Sequence, residues 1–252
     1  MSALAIGLIV FALVFGSALL AMFLRSVLPE HHLSADSKDV IKLGVALIAT
    51  MSALVLGLLI ASAKTAFDTR SNQLVEASSG IILLDRALAR YGPATNEARS
   101  LLRRSVADTV ERFWPAAQRA KPIEIDPEAS PVDVLYDKVE ALSPQSETQR
   151  DLRNQALTLV ADVGRTRVLL FEHMGTSIPV PFLVVLVFWL CMIFASFGLF
   201  APRNATVIAA LCVCALSVAG AIFLILELDR SFEGLLQVSG APLRIALTQL
   251  GR

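Results

Sequence analysis

Few residues of this chain could do covalent or metal chemistry, and their spacing is poor for it. His31 and His32 stand beside Glu30 and could touch a metal. Adjacent side chains rarely converge on one ion without a further ligand, so the better reading is a solvated loop with no metal site. Cys191, Cys212 and Cys214 all fall inside long apolar runs, where there is neither an oxidant nor an obvious partner. Cys212 and Cys214 are two apart and would point in different directions on a helix, so these cysteines read as small packing residues. The sequence has no Gly-rich phosphate loop, no His-Glu-x-x-His, no cysteine pair at zinc spacing and no Gly-x-Ser-x-Gly elbow. With so few histidines, acid and base catalysis has few candidates. The expectation is a protein that is not an enzyme and needs no cofactor.

Two other patterns suit permeation better than catalysis. Ala46, Thr50, Ala53, Gly57 and Ala61 recur in steps of three or four, a stripe of small side chains down one face of a helix, with Ala49 and Ser52 beside it. Such a stripe lets helices approach closely, and its plain reading is packing within one subunit. A second reading is that copies of this helix ring an axis, with the stripe facing a pore and Leu or Ile side chains forming dewetted constrictions. The second pattern is a cluster of charges where two apolar runs end: Lys64, Asp68 and Arg70 after one, Glu227, Asp229, Arg230 and Glu233 after the other. These are interfacial anchors and local ion pairs such as Glu227 with Arg230, or they form the charged cytoplasmic mouth of a conduction pathway.

The elements that must position these residues are four apolar runs. The chain has 252 residues, 55% hydrophobic and 17% charged, with a mean hydropathy of +0.65, so something other than water solvates part of it. Positive and negative residues balance at 22 each, which removes any global argument for nucleic acid as a partner. Crossing a hydrocarbon core of about 30 Å takes roughly 20 apolar residues. Ala3 to Leu24, Leu43 to Ala63, Ile178 to Phe200 and Ala205 to Leu226 each suffice, and none has a charge in its interior. Pro179 and Pro181 sit in the first turn of the third, where a missing N–H costs least. The first run has no basic residue ahead of it and exceeds the apolar length of a signal peptide, so it reads as an uncleaved anchor.

An even number of spans puts the N-terminus, the segment Lys64 to Ser177 and the C-terminal tail on one face. Basic residues near span ends are Lys64, Arg70, Arg165, Arg167, Arg230 and Arg244 on that face, against Arg25, Lys38, Lys42 and Arg203 opposite. The excess predicts that the large face and both termini are cytoplasmic. The expected architecture is all-α: hairpins over 1–63 and 178–227, a helical cytoplasmic domain over 64–177 between them, and an amphipathic tail over 228–252.

Periodicity predicts helices throughout the middle segment. Phe67, Leu74, Ala77, Ile81, Leu84, Leu88 and Tyr91 continue the second span as one long helix, which Gly92-Pro93 stops. A second helix, from about Thr95 to Phe113, carries Ala98, Leu102, Val106 and Val110 on one face and ends at Trp114-Pro115, before a proline-bearing linker over Gln118 to Ser130. Ser130-Pro131 and Ser143-Pro144 each predict a helix start. The tail is too apolar to be left in water, and Pro242 marks the start of a small helix that packs on the cytoplasmic domain or lies at the interface.

Several blocks carry a family resemblance. They are Leu28-Pro29, the run LIATMSALVLGLLIASAKTAFD from Leu47 to Asp68, Leu83-Leu84-Asp85-Arg86, Tyr91-Gly92-Pro93, Glu97-Ala98-Arg99, LELDRSFEG from Leu226 to Gly234, Val238-Ser239 and Pro242-Leu243. Together they resemble the bestrophin-like domain family of bacterial and plant membrane proteins. One departure is Ser231, where the family's pattern implies proline. The family's name implies a relation to bestrophins, pentameric ion channels whose second span lines a pore with an aromatic neck. The second span here has no aromatic before Phe67. Only the general plan carries over: four spans in a bacterial inner membrane, a large helical cytosolic part, and self-association around inorganic ions. The leading reading is a homo-oligomeric ion channel. Its rival is a non-conducting scaffold or stress sensor presenting the helical domain to a partner. A secondary transporter is disfavoured because the spans have no broken midplane helix and no buried ionisable residue.

Overall fold

The structure is a computed structural model, and it describes residues 2–25, 27, 35–114, 131–172, 180–232 and 234–251. Among these the fold is all-helical, with no strand. The helices are α1 (Ala3–Leu24), α2 (Ala35–Tyr91), α3 (Asn96–Phe113), α4 (Pro131–Glu140), α5 (Glu147–Glu172), α6 (Val180–Phe200), α7 (Ala205–Asp229) and α8 (Ala241–Gln249). The chain divides into two compact units, 1–67 with 176–237, and 68–175 with 238–252. The helix α2 contributes to both.

The first unit holds four helices long and apolar enough to cross a membrane: α1, α6, α7 and the first part of α2. The helix α1 packs on both α6 and α7, and Val14, Leu186, Ala215 and Ile222 are each wholly buried in their common core. With lipid tails as apolar as leucine, association in a bilayer relies on close packing of small residues. The closest approach is at Gly198 of α6, where a Cβ would lie 2.0 Å from the Ala18 carbonyl oxygen of α1. Gly7 of α1 meets Phe223 of α7 in the same way, at 3.3 Å. Local caps fix the helix starts: the Ser2 side chain accepts from the Ala5 N–H and Asn204 from the Val207 N–H.

In the second unit the latter part of α2 packs Leu74, Ile81, Leu84, Leu88 and Tyr91 inward. It ends at Tyr91 because Gly92 takes φ 122°, open only to glycine without strain, and Pro93 then begins a single 3-10 turn. The buried Thr95 hydroxyl donates back to the Leu88 and Gly92 carbonyls, tying that turn to the helix it follows. The predicted linker and Ser130 lie outside the described residues, and Pro131 opens α4. The start of α5 differs from expectation. Helix begins at Glu147, not at Ser143-Pro144, because Ser146 is the capping side chain and accepts from the Gln149 N–H at 3.2 Å. The Gln149 side chain accepts in return from the Gln145 N–H at 2.8 Å.

The tail helix α8 belongs to the second unit and packs on α3 through Leu243, Ala246 and Leu250. Just before it, the Trp114 indole N–H donates to the Val238 carbonyl at 2.8 Å, and Gly240 lies against the indole so closely that a Cβ would be 2.6 Å from the ring.

Candidate functional site

The helix α2 is the least enclosed of the apolar helices: 11% of its most apolar stretch is buried, against 28% in each of the other three. Its packed side is Ile48, Ala49, Ser52, Val55, Leu56, Leu59 and Ala63, all wholly or partly buried. The stripe residues Ala46, Thr50, Ala53, Gly57 and Ala61 are all exposed. Among the described residues, then, the stripe is not a packing face within the subunit. No described atom lies within 4 Å of a Cβ built on Gly57, so no contact among the described residues requires that residue to be small. Glycine and alanine serve intrachain packing instead at α1 and α6, where Ala18 meets Gly198. The Thr50 hydroxyl donates to the Leu47 carbonyl of its own helix at 2.8 Å, which lets it sit in an apolar setting without an unpaired donor.

Taken at 100° per residue, Lys64 and Asp68 share the phase of this stripe, and both are exposed. The other mouth candidates behave differently. Arg70, Glu227 and Asp229 are 3–5% exposed, and Arg230 is half-buried. Glu227 has a structural partner in the turn that follows α7: its carboxylate accepts the Leu235 N–H at 2.7 Å and the Leu236 N–H at 3.4 Å. Gly234, at φ 97°, lies over this carboxylate, and a Cβ there would be 2.3 Å from an oxygen. The LELDRSFEG block thus folds a turn onto its own glutamate. Glu227 is buried under its own turn, whereas Lys64 and Asp68 are exposed.

Sequence reading did not single out a second polar centre, in the second unit. Arg99 of α3 reaches Asp85 of α2 with two parallel bonds of 2.8 and 3.0 Å, and the Gly251 N–H adds a third at 3.2 Å. Asp85 is 4% exposed. Its hydrogen bond raises the Arg99 pKa against the opposing effect of burial, so the guanidinium stays charged at any pH the fold meets. On the α4 side, Lys138 donates to Glu97 at 2.6 Å and holds that exposed carboxyl below its ordinary value. Asp85 and Arg99 sit in two of the blocks that carried the family resemblance. Their 14-residue spacing gives no hint of pairing until the 3-10 turn brings α3 back along α2.

His31, His32 and Glu30 lie outside the described residues, as does Glu233. Among the described residues no three His, Cys, Asp or Glu side chains gather where one ion could be held.

Four long apolar helices in an all-helical chain define a multi-pass membrane protein. Residues 11–243, nearly the whole chain, match the model of the bestrophin-like domain, and the chain belongs to that family. No curated protein and no solved structure matches it.

Proposed function

We propose that the protein is a homo-oligomeric ion channel whose passage is lined by the outward face of α2. The observation that carries this reading is the exposure of the whole small-residue stripe, with nothing among the described residues for Gly57 to accommodate. Small side chains turned outward from a bundle leave room for a neighbouring helix or a narrow water-filled axis. Leucine facing lipid would do as well and needs no stripe. Lys64 and Asp68 continue that face beyond the apolar stretch and would form charged rings at its mouth, the arrangement that sets ion preference in an oligomer. The family membership supports ions as cargo and a second copy as partner. We place the protein in a bacterial inner membrane with the second unit and both termini in the cytoplasm, on the excess of basic residues at the large face. We assign it no enzymatic role.

The test is a planar-bilayer recording of the purified protein, expected to give unitary currents. Their absence across cation and anion gradients overturns the proposal. Gly57→Leu is expected to abolish current or reduce particle size, and Asp68→Lys to shift the reversal potential. A reversal potential unmoved by Asp68→Lys removes that residue from the pathway.

A non-conducting scaffold or stress sensor is the second reading. It is favoured by the apolar side chains that the second unit leaves open, Val134, Tyr136, Val168 and Ile245 among them, which suit a protein partner. Stoichiometry separates the two: a monomer or dimer in mild detergent encloses no axis and favours the scaffold.

A further inference from the structure

Two arginines cross between helix ends in the first unit. Arg25, just after α1, donates to the Ala201 carbonyl at the end of α6. Arg203, just before α7, donates to the Met22 and Phe23 carbonyls at the end of α1. Carbonyls at a helix C-terminus accept readily from side chains, and a cation there also meets the negative end of the helix dipole. Capping therefore explains why each side chain is held. It does not use up the groups. A guanidinium has five N–H donors, of which, among the described residues, Arg25 commits one and Arg203 three. Arg203 is exposed and Arg25 half-buried. Two full charges against roughly half a charge from each helix end leave a net of about +1 at this spot.

We infer that this end of the unit binds the phosphate of an anionic membrane lipid, with Arg25 and Arg203 as a fork fixed in advance by the carbonyls they cap. The inference rests on the chain being in a membrane and not on its conducting ions. The position suits a headgroup: both arginines flank apolar helices of 22 to 25 residues, which places them at the level of lipid phosphates. Immediately before Arg25, α1 exposes Leu20 at 68%, Phe23 at 66% and Leu24 at 51%, with Leu13 further down the same face. Acyl chains can lie along that ridge while the phosphate meets the guanidiniums. That combination favours a lipid over a free phosphate ion. Planar guanidiniums match two phosphate oxygens better than an ammonium does.

The experiment is native mass spectrometry of the full-length protein in mild detergent, with phosphatidylglycerol, phosphatidylcholine and inorganic phosphate added separately. Phosphatidylglycerol is expected to stay bound and the other two to be lost. Arg25→Gln and Arg203→Gln should each lower its retention about fivefold, the effect of one basic group at a membrane surface. Lys42→Gln, which changes an exposed lysine already paired with Asp39, should leave it unchanged. The inference is overturned if phosphatidylcholine is retained equally, if Lys42→Gln costs as much as the arginine variants, or if inorganic phosphate displaces the lipid at equal concentration. The first and last comparisons use the unaltered protein, so they decide the matter even if a variant fails to fold.

Discussion

Asp85 is a carboxylate withdrawn almost entirely from water, and its charge is matched by Arg99 on one side and the Gly251 N–H on the other. Removing one member of such a pair leaves the other desolvated and unmatched, which costs more than the pair itself contributes. Arg99→Ala is expected to destabilise the second unit by about 3 kcal/mol, the low end for a buried pair because the Arg99 side chain keeps some contact with solvent. Faster hydrogen exchange across Asn96–Phe113, with exchange in α1 unchanged, would register it. The Glu97–Lys138 bridge is exposed and has the opposite character, weak and dependent on pH. Lys138 depresses the Glu97 pKa in the folded state, so its contribution is present above the unfolded value of 4.5 and is lost as pH falls through the folded value. Lys138→Gln should slightly speed α4 exchange at neutral pH, where the bridge contributes, and match the unaltered protein once pH has fallen well below 4.5.

At the scale of elements, two glycines of the first unit make opposite predictions. Gly198 is pressed against the Ala18 backbone, so Gly198→Ala must push α1 and α6 apart, at a cost of about 1–3 kcal/mol. A fall in the Tm of the detergent-solubilised protein is the expected readout. Gly57→Ala meets open space among the described residues and should leave the Tm of a dissociated protomer unchanged or slightly raised, since alanine favours helix. Any loss with Gly57→Ala would therefore come from contacts between copies. The tail is a third case. Gly240→Val would drive a side chain into the Trp114 indole and lift the segment that leads into α8. Limited proteolysis should then cut between Ser239 and Arg244 at a dilution where the unaltered tail survives.

For the whole molecule, the decisive property is what surrounds α1, α2, α6 and α7. Leu8, Leu20, Leu43, Leu54, Phe188 and Val213 are each at least 60% exposed, a surface that water does not tolerate at this density. The protein is expected in the membrane pellet of a lysate and to enter solution only with detergent. Recovery as a monodisperse species without detergent would sink the membrane reading and every proposal built on it.

Helix class and number of apolar spans were legible in the residues alone, because a backbone in lipid must satisfy its own hydrogen bonds and so writes a long uncharged run into the sequence. The end of α2 at Tyr91 was legible for a similarly local reason, a glycine followed by a proline. The role of the small stripe was not. Periodicity shows that Ala46, Thr50, Ala53, Gly57 and Ala61 share a face, but which way a face turns depends on what packs against the opposite one, and that is a property of α1, α6 and α7. The same holds for charge. Lys64, Asp68, Glu227 and Asp229 look alike as residues near span ends, and only the turn at Gly234 and the packing of α7 decided that the last two are buried. Arg25 and Arg203, counted in the sequence only as charges beside a membrane, became crossed helix caps because α1 and α6 end side by side.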